Sequence, residues 1–352
     1  MSEAFSIGQP ATEPIEQMHG FDFTGSAGEF FRIWIVNISL TVLTLGIYSA
    51  WAKVRTSRYF AANTHLAGAS FDYLADPIAI LKGRAIVVGL LLAYSMASAL
   101  SPLIQAPLGI ALALGLPWAI SRSLAFRAYN TAWRNIRFAF GGTYGEAFIC
   151  YLVLPFVGLI PLGLGYPYAV FAQRRFMVDN AAFGTTRLRY GSTPGRFYAM
   201  FATLGVLGVA GLLAILVLSR MVEPLLTDLF GESGTAAVLA LLMIPLYFSL
   251  FAFYSAQIAN LTYDGAWLNE HRVVSRVPAP GLAWIYLSNG IAILASLGLL
   301  IPWSHVRIAR YRLSHMGLFA RGSLDDFAAA QGGDVSSLGE QFGEAFDFDL
   351  GL

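Results

Sequence analysis

The chain has 352 residues, of which 57% are hydrophobic and only 12% charged, with a mean hydropathy of +0.62. Soluble domains carry about 25% charged residues, so this composition excludes an ordinary soluble enzyme and indicates a multi-pass membrane protein. The net charge of +1 hides an uneven spread: residues 1–321 hold all 22 Lys and Arg against 14 Asp and Glu, and the remaining seven acids lie in residues 322–352 without a base.

In chain order, residues 1–20 form a polar segment without Lys or Arg. It lacks the basic and apolar regions of a cleavable signal peptide, so insertion is expected to rely on the first apolar span. Apolar segments follow at roughly 30–51, 78–99, 103–125, 147–170, 197–219, 235–258 and 283–303, each near the 20 or so residues that cross a bilayer as a helix. Period-two runs at Phe21–Gly25, Ser70–Tyr73, Phe138–Gly142 and Arg187–Tyr190 read as short strands. Open strand edges are not tolerated in lipid, so these strands are expected to pair as a small sheet in water, beside the helix ends.

The chain also repeats itself. Residues 21–73 laid over 138–190 give 13 identities in 53 positions, among them Phe21/Phe138, Gly25/Gly142, Leu45/Leu162, Gly46/Gly163, Arg58/Arg175 and Tyr73/Tyr190. A weaker copy lies 252 residues on, with Asn37/Asn289, Leu45/Leu297, Gly46/Gly298 and Arg58/Arg310. Such self-similarity means that one unit builds the fold. The expected organisation is the polar segment 1–20, unit A at 21–137, unit B at 138–272, a truncated unit C at 273–321 and an acidic tail at 322–352. The expected fold class is an all-α multi-pass membrane protein of two and a half repeats with short cytoplasmic strands.

Arg and Lys cluster at 53–58, 82–84, 122–137, 174–196, 272–276 and 307–321, which marks those loops as cytoplasmic. The segments 147–170 and 283–303 then have basic residues at both ends. Each also carries a Leu-Gly pair, and Leu159–Pro167 is too rich in Gly and Pro for a continuous helix. Two alternatives stand: the first, fourth and seventh segments are broken, re-entrant hairpins, or all seven span the membrane. Hairpins put both termini in the cytoplasm; seven full spans put them on opposite sides.

The run Asn37-x-x-Leu40-x-x-x-Thr44-Leu45-Gly46-Ile47-Tyr48-x-x-Trp51-Ala52-Lys53-Val54-Arg55-x-x-Arg58-Tyr59-Phe60, with the later Phe71-x-Tyr73 and Gly83-Arg84, resembles the signature of the YjgN-like family, bacterial inner-membrane proteins with a domain of unknown function. The resemblance implies a multi-pass protein of the bacterial inner (cytoplasmic) membrane and supplies no catalytic residue or cofactor. It also points to a membrane-linked metallopeptidase, encoded beside some members, as a partner.

Catalytic signatures such as HExxH, GxSxG and the Walker loop do not occur, the five His are scattered, and Cys150 is alone. The expectation is therefore no enzyme, no metal, no cofactor and no nucleic acid. Polar residues inside apolar segments are candidate contacts. Asn37 and Asn289 occupy one position of the repeat, where an interhelical hydrogen bond worth about 0.6 kcal/mol is the plainer role. Arg84 enters the second segment, where snorkelling competes with an anion-attracting cavity. Arg58, Arg175 and Arg310 are the one charge present in all three copies. They suit anchoring to anionic headgroups at the cytoplasmic face, or a basic ring that gathers an anionic ligand or acidic peptide. In the tail, Phe346, Phe348 and Leu352 alternate with acids and suit a linear docking motif. Two functions follow: a scaffold or accessory subunit that binds a protein partner through its cytoplasmic face and acidic tail, or a small-solute transporter or channel built on the broken segments.

Overall fold

A computed structural model of the chain describes residues 16–322 and Leu324. The strands are β1 (Glu16–Phe23), β2 (Thr64–Leu66), β3 (Ala69–Tyr73), β4 (Thr131–Trp133), β5 (Ile136–Phe140), β6 (Ala181–Phe183), β7 (Thr186–Tyr190), β8 (Ala266–Leu268), β9 (His271–Ser275) and β10 (Met316–Arg321). Each pairs antiparallel with its neighbours in sequence, and β10 closes on β1 through Glu16↔Arg321 to Gly20↔Gly317. The result is a closed ten-stranded barrel. It corrects the all-α expectation: the short strands are not an accessory sheet but one continuous wall. Strands of three to eight residues leave little trace between long apolar helices, and closure joins residues about 300 apart in sequence.

All helices leave from one end of this barrel. Between β1 and β2 lie α1 (Ala27–Leu43) and α2 (Ser49–Ala62); between β3 and β4, α3 (Pro77–Leu100) and α4 (Pro102–Tyr129). Between β5 and β6 lie α5 (Tyr144–Phe148), a π-turn at Ile149–Val153, α6 (Leu154–Leu159) and α7 (Tyr166–Asp179). Between β7 and β8 lie α8 (Pro194–Leu241) and α9 (Met243–Tyr263), and between β9 and β10, α10 (Ala279–Ala295) and α11 (Ile301–Leu313). The other end carries tight turns, where Ala67, Gly68, Arg134, Asn135, Gly184 and Asn269 have positive φ, as two-residue hairpin turns require.

Local chemistry starts and stops these helices. Ser26 accepts from the Glu29 N–H at 3.2 Å and Asp76 from the Ile78 N–H at 3.0 Å, just before Pro77, while Thr143 and Glu146 form a capping box. Such caps satisfy N–H groups that the helix itself leaves open. The Leu-Gly pairs end α1, α6 and α10: φ is 50° and 94° at Leu45 and Gly46, 55° and 82° at Leu162 and Gly163, and 51° and 91° at Leu297 and Gly298. Left-handed backbone stops a right-handed helix. Thr44 and Ser296 then turn their hydroxyls to the N–H groups of Tyr48 and Leu300, which starts the return helix. The apolar segments 30–51, 147–170 and 283–303 thus break within the helical hairpins α1–α2, α5–α7 and α10–α11, and both ends of each hairpin join the barrel. At 1.5 Å per residue α1 and α10 are about 25 Å long, short of a hydrocarbon core of about 30 Å.

Among the described residues, three helical stretches are long and apolar enough to cross a membrane: Pro77–Leu100, Pro102–Tyr129 and Pro194–Tyr263. The last folds back at Gly231 (φ 67°, ψ 178°), where left-handed φ suits glycine, so Gly208 and Gly211 face Leu250 and Leu246. From Pro194 to that bend the helix is about 55 Å long, and it carries Arg220, Glu223 and Asp228 near its far end.

Register sets what points into the barrel. Phe21 opposes Leu66, Phe71 opposes Trp133, Trp133 opposes Ile136, Phe138 opposes Phe183, and Val273 opposes Leu318. These side chains form one apolar core, joined by Leu324 from beyond β10. Its rings are linked in a chain with centroids 6.1 Å apart for Phe21–Phe71, 6.3 Å for Phe71–Trp133, 5.7 Å for Trp133–Phe183 and 5.1 Å for Phe183–Phe138. The outward set includes Glu16, Asp22, Asp72, Arg137, Arg187, Arg189, Arg272 and Arg321. A membrane barrel has an apolar outside, a polar lumen and strands of about 9–11 residues. This one has the reverse polarity and shorter strands, with an interior filled by apolar side chains, so it lacks the features of a membrane-spanning barrel.

Two predictions follow from this core. Phe183→Ala empties a fully buried position (1% exposed) and is expected to cost about 3–5 kcal/mol, read as a lowered unfolding midpoint in detergent, with Phe319→Ala on the outer wall as the small-effect reference. His271 is buried in the barrel, and its Nδ1 accepts from the Arg321 N–H at 3.3 Å. Burial lowers its pKa from 6.5, against an opposing pull from Glu270. The unfolded chain therefore takes up a proton that the barrel refuses. This contribution to stability is present above pH 6.5 and is lost as pH falls below it; His271→Gln is expected to flatten that slope in thermal unfolding between pH 7 and 5.

Candidate functional site

The recurring arginines sit toward the C-terminal ends of α2, α7 and α11, where each helix returns to the barrel, Arg310 in the last turn. Arg58 donates from Nε to the Tyr73 carbonyl at the end of β3 (3.1 Å), and Arg310 from Nη2 to the Gly25 carbonyl just past β1 (2.9 Å). Arg175 instead pairs with Asp179 at 3.1 Å, and the other Asp179 oxygen accepts from the Tyr190 N–H at the end of β7 (2.6 Å). In each copy a cation holds the returning helix against the next strand end, directly or through one carboxylate. These three arginines are exposed and have separate partners, so they act as individual rim clamps.

The other candidates stitch helices together. Asn37 Nδ2 donates to the Ala52 carbonyl (3.4 Å) and the Thr56 hydroxyl (3.5 Å), across the α1–α2 hairpin. Asn289 Oδ1 accepts from Arg307 at 2.9 Å, across α10–α11. Arg84 on α3 donates to the Ser49 hydroxyl on α2. Tyr190 donates to the Leu261 carbonyl at 3.0 Å, and burial pushes its hydroxyl up to about 12, so it remains a donor joining β7 to α9. Phe346, Phe348 and Leu352, with the rest of the acidic tail, lie outside the described residues.

A surface that the sequence reading did not single out emerges on the outer wall. Arg189 on β7 opposes Trp267 on β8, which opposes Arg272 on β9, which opposes Phe319 on β10, which opposes Met18 on β1. One register row thus runs cation, aromatic, cation, aromatic, thioether across five strands. The Arg272 guanidinium stacks on the Trp267 ring at 5.5 Å from its centroid and pairs with Asp264 at 3.0 Å. Arg189 is exposed, Met18 is 59% exposed and Phe319 36%. The run Arg187-Leu-Arg-Tyr190 showed the alternation that turns both arginines outward, but nothing local placed Trp267, Phe319 or Met18 beside them.

The family model described as "Bacterial protein of unknown function (DUF898)" matches residues 18–345. The chain belongs to this family. Among curated proteins it is 33% identical to the inner membrane protein YjgN of Escherichia coli O157:H7 over 123 residues, 35% of this chain and 31% of the relative. It is 32% identical over 128 residues to YjgN of Escherichia coli strain K12, again 35% and 31%. To YjgN of Salmonella typhimurium strain LT2 it is 29% identical over 152 residues, 41% and 37%. The chain thus covers about a third of the length of these relatives. No solved structure matches it. With these relatives and its long apolar helices, this YjgN-like chain is a bacterial inner-membrane protein.

Asp179 is the carboxylate on which the α7 clamp turns. Asp179→Ala is expected to cost about 1–2 kcal/mol, because it leaves the Tyr190 N–H without its acceptor. Arg175→Ala, which removes only the exposed partner, is expected to cost under about 1 kcal/mol. Thermal unfolding of the two variants checks the order.

Proposed function

We propose that this YjgN-like protein is a membrane-held scaffold, or accessory subunit, whose water-exposed barrel docks an acidic, aromatic-bearing segment of a protein partner. The observation that carries the reading is the outer-wall row Arg189–Trp267–Arg272–Phe319–Met18. Exposed apolar groups flanked by guanidinium forks suit a segment that alternates acids with aromatics. The filled barrel supports binding over conduction, since Phe21, Phe71, Trp133, Phe138 and Phe183 block its axis. The reading is of a binding protein, not an enzyme.

In this proposal the α3–α4 and α8–α9 pairs cross the inner membrane. The hairpins α1–α2, α5–α7 and α10–α11 enter and leave it from the barrel side, tipped by Leu45, Leu162 and Leu297, each at least 95% exposed in the protein itself. The arginines of the barrel and its rim support a cytoplasmic position for that side, near anionic headgroups. The acidic tail follows β10 in sequence. A membrane-linked metallopeptidase is the partner that the family resemblance suggests.

A photo-crosslinking residue in place of Phe319, in native membranes, tests the reading. The expected result is a discrete protein adduct that disappears with Arg189→Glu and weakens when the chain is ended after Arg321. An adduct pattern indifferent to Arg189→Glu, or solute uptake by proteoliposomes that depends on this chain, overturns it.

A further inference from the structure

Packing links the helices into a closed circuit: each of α1 to α4 lies on its successor, α4 on α5, α6 on α7, each of α7 to α10 on its successor, and α11 back on α1. A cavity of roughly 310 Å³ is lined by α7, α9 and α11, which α8 and α10 separate along the circuit. It therefore faces the inside of the helix ring, one or two turns above the strands that follow each helix. Its walls carry Arg174 from α7 and Arg312 from α11, with Tyr254, Ser255 and Thr262 from α9. Its size lies at the lower end of the range for small-ligand sites.

The charge balance of this cavity is incomplete. Arg312 Nη2 donates to the Ser255 hydroxyl at 2.5 Å and to the Tyr286 hydroxyl at 2.7 Å, both neutral acceptors. Arg174 meets the neutral Tyr254 hydroxyl, and its buried Nε has no hydrogen-bond partner. The ion pairs among the described residues use Arg175, Arg196, Arg220, Arg272 and Arg321, and neither Arg174 nor Arg312 takes part in one. Two half-buried cations that share a cavity without a carboxylate repel one another and lose hydration. An anion with several oxygens relieves both costs, because guanidinium forks bind phosphate and carboxylate bidentately. The hydroxyls of Tyr254 and Ser255 add neutral donors, whereas Thr262 donates its hydroxyl to the Ile258 carbonyl at 2.6 Å.

We propose that Arg174 and Arg312 form a binding site for a phosphate-type oxyanion inside the helix ring. The same chemistry is offered by a free phosphate compound and by the headgroup phosphate of an anionic lipid that enters between helices. This site is separate from the docking wall and does not rest on the scaffold reading.

The test uses the full chain, purified in mild detergent and reconstituted in nanodiscs of phosphatidylcholine alone. Inorganic phosphate is titrated against the unfolding midpoint, and native mass spectrometry with added phosphatidylglycerol scores retained lipid. The expected result is saturable binding of one of these probes, weakened at least tenfold by Arg174→Gln and by Arg312→Gln. Arg175→Gln, one residue along α7 at the exposed rim, is expected to leave it unchanged. Saturation by inorganic phosphate identifies a soluble ligand, and selective retention of phosphatidylglycerol that phosphate does not displace identifies a headgroup. Should a glutamine variant fail to fold, Arg312→Lys keeps the charge without the fork and is expected to bind more weakly than the parent. Absence of saturable binding of either probe, or binding insensitive to these arginine substitutions, overturns the proposal.

Discussion

The pairing of β1 with β10 is the contact on which the rest of the molecule depends. A strand of three residues, as in β2, β4, β6 and β8, has no stability by itself, and an isolated hairpin is marginal at best. Joined through Glu16–Gly20 and Gly317–Arg321, the ten become a wall without an edge, and every neighbour gains a partner on both sides. Closure also removes the row of open N–H and C=O groups that would otherwise lie beside a bilayer. With the ring shut, five helical excursions are forced to leave and return at fixed points around it, so the barrel organises the membrane part rather than the reverse.

The two ends of that arrangement have opposite chemistry. The barrel turns aromatic rings inward and arginines outward, while the long helices expose Leu, Val and Ile along most of their length. The boundary between them is bridged by polar clamps: Arg58 to Tyr73, Arg310 to Gly25, and Arg175 through Asp179 to Tyr190. Each joins a helix that ends there to a strand from the next excursion. Arg310 lies in the last turn of α11, where a cation also meets the partial negative charge of the last carbonyls, so there the same residue closes the helix and holds the seam.

Arginine thus serves three physical purposes in one chain. At the rim it donates to strand-end carbonyls or, for Arg175, to the Asp179 carboxylate; on the outer wall it stands in register with Trp267 and Phe319; inside the helix ring Arg174 and Arg312 share a cavity with hydroxyls and apolar side chains. The first use is complete within the protein, as is Arg272 on the wall through Asp264 and Trp267. The other two leave donors facing an aqueous surface or a cavity, which is why they carry the functional proposals while Arg58, Arg175 and Arg310 do not.

Much of this was legible from local sequence. The apolar runs required a membrane, the Leu-Gly pairs interrupted three of them, and Phe21–Gly25, Phe138–Gly142 and Arg187–Tyr190 alternated as strands do. Caps such as Ser26, Asp76 and Thr143 acted within three residues of their own positions, so the sequence by itself determined where helices begin, where they break and which strand residues share a face. What it did not carry was the partner of each strand. Whether Met18 lies beside Phe319, whether Trp267 lies between Arg189 and Arg272, and whether Arg174 and Arg312 meet in one cavity depend on contacts spanning tens to hundreds of residues. Backbone pairing is the same for any strand, so those choices were made only when the ring closed and its apolar faces met inside one barrel.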